Sequence, residues 1–245
     1  MVMIEHKQIV IDGLLSSYTE AGYGDVVLLL HGWGCNANTF KELQMELSKK
    51  FRVFAVDFPG FGRSDEPKEV WGCLEYANWV EQFMKKTRIE SPIILAHSFG
   101  GRIALVLNSK INLSKLVLTG GAGLIMQKHS STLSKYMPAF LKKGMFKEFI
   151  IKTIGSYDYK NSNPHLREIL KKVISEDLRM YAKQISIPTL LIWGENDTTT
   201  PLEMGKEFNS IIPNSKLAVM PNCGHYTFIE KKDEFLNLTN EFFER

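Results

Sequence analysis

Six short runs of the chain are almost continuously apolar: Val26 to Leu30, Arg52 to Val56, Ile93 to Ala96, Lys115 to Leu118, Thr189 to Trp193 and Lys216 to Val219. Strands read this way when helices cover a parallel sheet on both faces. The segments between them repeat at helical spacing instead. Phe40, Leu43 and Leu47 mark one stripe, Ala77, Val80 and Met84 a second, Ile103, Ala104 and Leu107 a third, and Phe235, Leu238 and Phe242 a fourth. Ahead of this alternation, Lys7 to Ile11 and Leu14 to Thr19 flank Asp12-Gly13, a dipeptide suited to a tight hairpin turn. The pattern predicts an α/β protein with a mostly parallel eight-stranded sheet flanked by helices.

The alternation breaks between Leu124 and Gln184, where helical patches follow one another and no strong strand appears. We read residues 124–184 as an inserted helical segment and residues 1–123 with 185–245 as the core domain. The insertion holds twelve Lys or Arg against five Asp or Glu, a balance of +7 that the overall charge of +3 conceals. It is also rich in aromatic and Met side chains, among them Met126, Tyr136, Phe140 and Phe146.

With 44% hydrophobic and 23% charged residues the chain has the makings of a packed core rather than a disordered one. Its mild net charge gives no reason to expect nucleic acid as a partner. Three cysteines, Cys35, Cys73 and Cys223, are an odd and scattered set, read as free thiols in a reducing compartment. The first twelve residues lack the basic-then-apolar layout of a signal peptide, and no apolar run approaches the ~20 residues of a membrane span. A cytoplasmic location is expected.

The chemistry concentrates where apolar strands end. In Leu95-Ala96-His97-Ser98-Phe99-Gly100-Gly101 a strand gives way to a helical pattern, and the residues two either side of Ser98 are small. A strained strand-to-helix turn that exposes a nucleophile has this steric requirement, although a serine N-cap followed by glycine would explain many such strings. Serine is a weak nucleophile until a base takes its proton and a carboxylate orients that base. Of the six histidines, His225 lies in a loop of turn formers, Met220 to His225, just after the last apolar strand. His97 should point away from the hydroxyl, His31 should shape the loop it opens, His6 lies in the hairpin, and His129 and His165 lie in the insertion. For the carboxylate, Asp197 follows the Thr189 strand in Gly194-Glu195-Asn196-Asp197; Glu195 sits earlier in the turn and is expected to face solvent. Backbone amides at Trp33, within His31-Gly32-Trp33-Gly34, and at Phe99 are placed to receive a developing oxyanion.

These motifs together resemble the α/β-hydrolase fold superfamily, in its compact, lidded esterase and lactonase form, over nearly the whole chain. His31 to Gly34 resembles the oxyanion loop, and Asp57-Phe58-Pro59-Gly60-Phe61-Gly62-Arg63-Ser64-Asp65 the D-x-P-G-x-G-x-S turn. Ala96 to Gly101 resembles the nucleophile elbow, with Ala96 where Gly is usual; Gly194 to Asp197 resembles the acid loop and Cys223-Gly224-His225 the histidine loop. The resemblance implies a Ser98-His225-Asp197 triad that cleaves a carboxylic ester, thioester or lactone through an acyl-enzyme, without metal or organic cofactor. The alternatives it leaves are hydrolysis of a carbon-carbon bond in a diketone-like acid, and a slow-turnover ligand receptor. It also makes residues 124–184 a lid, with Met126, Tyr136, Phe140 and Phe146 as candidates for the pocket roof. Lys142, Lys143, Lys147, Lys171 and Lys172 could steer an anionic substrate or an acidic carrier protein, and solvated helix faces explain them equally well. The Asp57 to Asp65 turn is read as structural.

Overall fold

The computed structural model describes residues 3–126 and 163–244. Eight strands form one sheet: β1 (Glu5–Ile11), β2 (Leu14–Ala21), β3 (Val26–Leu30), β4 (Arg52–Val56), β5 (Ile93–His97), β6 (Lys115–Thr119), β7 (Thr189–Gly194) and β8 (Ser215–Met220). Their spatial order is β1-β2-β4-β3-β5-β6-β7-β8. Asp12 and Gly13 both take positive φ (50° and 81°), so the first two strands are joined by the expected tight turn. β2 then pairs antiparallel with β4, while every pair from β4 through β3 to β8 is parallel.

The described helices are α1 (Lys41–Leu47), α2 (Cys73–Thr87), α3 (Phe99–Asn108), α4 (Pro164–Ser175), α5 (Arg179–Lys183), α6 (Leu202–Ile211), α7 (Thr227–Glu230) and α8 (Lys232–Glu244), with a 3-10 turn at Ala37–Phe40. Side-chain alternation along the strands divides the core into two layers. Leu28, Leu30, Phe54 and Val56 face a layer built with α2, α3 and α6. Val27, Leu29, Val53 and Ala55 face the other, where Leu43 and Leu47 of α1 and Phe235 and Phe243 of α8 complete the packing. All four predicted helical stripes therefore lie on helices.

β8 departs from expectation. Its apolar run reads as covered on both faces, yet β8, at the edge of the sheet, is only partly covered and Val219 is 42% exposed. Within residues 124–184, the described helices are α4 and α5. Asn163 caps α4 by accepting from the Leu166 amide at 2.8 Å, and Pro164 occupies its first turn. The other end of α4 is fastened to α3: Arg102 Nη1 donates to the carbonyls of Val173 (3.0 Å) and Glu176 (2.9 Å).

Candidate active site

Ser98 joins β5 to α3 with φ 51° and ψ −111°, a left-handed backbone that costs a non-glycine residue energy. The strain is sustained by close packing. A Cβ at Gly100 would collide with the Leu30 carbonyl, so the helix can begin this close to β3 only with glycine there. Ala96 is fully buried one strand position before His97. Ser98 itself is 8% exposed, and its amide donates to Thr119 O at 3.3 Å, which ties the turn to the end of β6.

The next residue along that strand end, Gly120, also takes positive φ. A Cβ there would lie 3.0 Å from His225 Nδ1 and 3.2 Å from Asp197 Oδ2, so the absence of a side chain lets both groups approach the Ser98 turn. His225 Nδ1 and Asp197 Oδ2 are 2.7 Å apart. Asp197 Oδ1 accepts from the amides of Thr199 (2.8 Å) and Thr200 (2.9 Å), and Oδ2 lies 2.9 Å from Thr200 Oγ1. The carboxylate is thus solvated by the chain in place of water, and the imidazole is oriented with Nε2 available as an acceptor. Ser98 Oγ and His225 are not hydrogen-bonded in this structure; such contacts are often long before substrate arrives.

Glu195 is exposed and its Oε2 accepts from the Asn222 amide at 3.0 Å, leaving the histidine to Asp197. The other described histidines have different duties. His31 Nε2 accepts from the Phe58 amide (3.0 Å) and Nδ1 meets Gly32 O (2.7 Å), so it shapes the loop. Burial holds its pKa down at about 4, and it stays neutral. His97 is buried with Nδ1 on Thr119 O (3.1 Å), its ring 4.6 Å from that of His225; burial, then the His225 charge, pushes its pKa well below the ordinary value. His165 Nε2 lies 2.8 Å from Pro67 O, and His6 is exposed on β1. Burial pushes the Cys223 thiol up to about 11, so no thiolate competes beside His225 at neutral pH.

The oxyanion loop runs against the elbow: a Cβ at Gly32 would be 3.3 Å from Ser98 Cβ. The Trp33 amide makes no hydrogen bond among the described residues, and Phe99 opens α3, where an amide has no intrahelical acceptor. Trp33 is edge-on to Phe61 (4.8 Å) and Phe99 (5.3 Å), and Leu170 and Ile174 of α4 pack against it, giving this side an apolar, aromatic wall. The Asp57 to Asp65 turn is held by its own hydrogen bonds. Asp57 accepts the amides of Ala37 (2.7 Å) and Arg63 (2.9 Å), and Ser64 Oγ donates to Asp57 O (2.7 Å).

Met126 packs on the main core layer, whereas Tyr136, Phe140 and Phe146, along with His129, Lys142, Lys143 and Lys147, lie outside the described residues. Lys171 pairs with Glu168 (2.6 Å) and Lys172 with Glu75 (3.4 Å). Sequence reasoning missed Thr200, Gly120 and Arg102. The first two carried a signal, a Thr three residues after the acid and a Gly-Gly pair closing a strand; a buried Arg in an apolar helix carried none.

A family model described as alpha/beta hydrolase fold matches residues 25–156 and 152–232. The chain belongs to the alpha/beta hydrolase fold family. Two curated relatives of this hydrolase are each 26% identical. One is the 2-hydroxy-6-oxo-6-(2'-aminophenyl)hexa-2,4-dienoic acid hydrolase of Metapseudomonas resinovorans, over 95% of this chain and 89% of the relative. The other is the pimeloyl-[acyl-carrier protein] methyl ester esterase of Nitrosospira multiformis, over 91% and 97%. Among solved structures, the esterase EaEST from Exiguobacterium antarcticum superposes with a TM-score of 0.78 at 24% identity, covering 96% of this chain and 97% of that one. The hydrolase has no helix among the described residues long and apolar enough to cross a membrane.

Proposed function

We propose that this α/β hydrolase cleaves a carboxylic ester, thioester or lactone of a small molecule by covalent catalysis at Ser98. The observation that carries the reading is the 2.7 Å contact between His225 and a fully hydrogen-bonded Asp197, set across Gly120 from a serine held in a strained turn. His225 Nε2 takes the Ser98 proton as Oγ attacks the carbonyl carbon, and the amides of Trp33 and Phe99 receive the negative charge that builds on the carbonyl oxygen. The tetrahedral intermediate collapses, the leaving alcohol, thiol or lactone hydroxyl takes the proton from His225, and an acyl-Ser98 ester remains. A water deprotonated by His225 attacks that ester, and the acid leaves as Ser98 regains its proton. Asp197 stays ionised throughout and stabilises the imidazolium.

In this reading residues 124–184 are an inserted lid, and its described helix α4 is fastened to the core by Arg102 and packs on Trp33. The wall of Trp33, Phe61 and Phe99 receives an apolar acyl or aryl group. Carbon-carbon hydrolysis is the second reading, favoured by the relative that acts on a hexadienoic acid. Incubation with a fluorophosphonate followed by peptide mass spectrometry tests the shared nucleophile: a single adduct on Ser98 is expected, and labelling elsewhere with Ser98 unmodified would refute it. Turnover of simple esters against a dienoate substrate then separates the two reactions.

A further inference from the structure

Apart from the Ser98 cluster, the protein carries a polar cleft of about 250 Å³ whose lining includes His6, Ser17, Asn36, Asn38, Asp57 and Arg63. Strand register builds one wall. Ser17 and Thr19 lie two apart on β2 and share a face, and His6 pairs with Thr19 across the β1-β2 ladder on that same face. The opposite wall is the Asn36 to Asn38 segment and the turn from Asp57 to Arg63, fastened together by the Asp57 carboxylate through the amides of Ala37 and Arg63.

The polar groups of this cleft are underused. Ser17 is only 5% exposed, yet its hydroxyl makes no hydrogen bond among the described residues, whereas neighbouring Thr19 Oγ1 donates to Gln44 Oε1 at 2.9 Å. The Ser17 oxygen is not sealed from solvent but opens into the cleft it lines. Among the described residues the Arg63 guanidinium forms no ion pair or hydrogen bond, and the Asn38 side-chain amide is likewise unengaged. Asn36 spends its Oδ1 on the Asn38 amide (2.9 Å) and keeps its NH₂ group.

We propose that the cleft binds a small oxyanion that also carries a hydroxyl group, a hydroxycarboxylate or a phosphorylated polyol. Arg63 and the two Asn amides are donors, and a guanidinium matches the paired oxygens of carboxylate or phosphate. Asp57 explains the hydroxyl. A bare anion would face its negative charge, whereas a ligand hydroxyl can donate to a carboxylate lone pair and accept from Ser17. The volume falls below the roughly 300 to 1,000 Å³ of pockets for drug-sized ligands, which sets the ligand as a small one.

Isothermal titration of the full chain with citrate and, separately, with glycerol 3-phosphate tests the assignment. Saturable one-to-one binding of at least one is expected, unchanged in Ser98→Ala and weakened about tenfold or more in both Arg63→Gln and Ser17→Ala. The tighter of the two identifies the source of the anion. Sulfate, an oxyanion without a hydroxyl, should bind more weakly than that ligand. In the unsubstituted protein the His6 imidazole resonances should shift saturably with the same ligand, which reads the cleft without any substitution. Failure of both ligands to bind at millimolar concentration, sulfate binding as tight as theirs, loss of binding in Ser98→Ala, or binding with His6 unmoved and indifferent to Arg63→Gln and Ser17→Ala would each overturn the proposal.

Discussion

Asp197 meets His225 at 2.7 Å with one carboxylate oxygen while two backbone amides and the Thr200 hydroxyl satisfy the rest of the group. The hydration that the carboxylate loses on burial is thereby replaced by fixed donors. The proposed catalysis needs that charge at that place. Asp197→Asn should keep the fold and lower kcat by roughly 10³- to 10⁴-fold, since the amide favours the wrong imidazole tautomer. Near-normal turnover in this variant would reassign the acid.

Thr200 offers a graded version of the same test. Its Oγ1 lies 2.9 Å from both Asp197 Oδ2 and Gly120 O, and one hydroxyl proton serves one of these acceptors at a time. Thr200→Val removes the donor at nearly constant volume, and a fall in kcat of about tenfold is expected, the value of one hydrogen bond to a charged group. An unchanged pH-rate profile and kcat would show that the two backbone amides suffice.

Gly120 should be intolerant of even the smallest side chain. An added Cβ would press on His225 Nδ1 at 3.0 Å and on Asp197 Oδ2 at 3.2 Å, in a backbone conformation with φ +50°. The left-handed conformation alone costs an alanine about 1 to 2 kcal/mol, so Gly120→Ala should unfold at lower urea yet remain folded at neutral pH. Turnover should fall by far more than stability predicts, as the Asp197-His225 pair is pushed from the Ser98 turn. Equal kcat in the folded variant would contradict this geometry.

Acid should destabilise the protein through a group outside the proposed triad. His31 is buried and neutral, with its pKa near 4 instead of 6.5 because burial disfavours the cation. A protonated Nε2 would also point a second donor at the Phe58 amide. Unfolded chains take up the proton as pH falls through 6.5, and the native state resists until about 4. The stabilisation is thus complete above pH 6.5 and is lost between 6.5 and 4, by roughly 2 kcal/mol from pH 7 to pH 5. Urea unfolding of His31→Gln, which keeps an acceptor near Nε2, should show lower stability at pH 7 and a flatter dependence on pH. A slope equal to that of the unsubstituted protein would remove His31 from the explanation.

Arg102 holds α4 to α3 through two carbonyls, and burial lowers its pKa from the ordinary arginine value. Arg102→Met keeps the apolar stem but leaves both acceptors unmet, at a cost of about 3 kcal/mol. The urea midpoint should drop with its slope unchanged, and a loss of unfolding free energy under ~0.5 kcal/mol would show that α4 is held by apolar packing alone.

Most of the architecture could be read from the chain because a sheet covered on both faces writes long apolar runs, and β3 to β7 are of that kind. β8 misleads for the same reason: its run is apolar, but at the edge of the sheet its side chains are only partly covered. The antiparallel pairing of β2 with β4 is set by long-range hydrogen bonding that no local pattern records. At the candidate site, Ser98, Asp197 and His225 stood out because turn formers surround each at a strand end. Thr200 and Gly120 act through the distance between loops about eighty residues apart in sequence, and that distance exists only after folding. Arg102 looked like an interruption of an apolar helix, since the two carbonyls its guanidinium holds leave no mark in a sequence.

The central claim is nucleophilic catalysis at Ser98, and the most direct test is hydrolysis of a p-nitrophenyl ester series of increasing chain length by the unsubstituted protein beside Ser98→Ala. The account predicts saturable turnover that the substitution reduces by at least roughly 10³-fold, with a chain-length preference set by the Trp33, Phe61 and Phe99 wall. Ester hydrolysis by Ser98→Ala at the unsubstituted rate would contradict it.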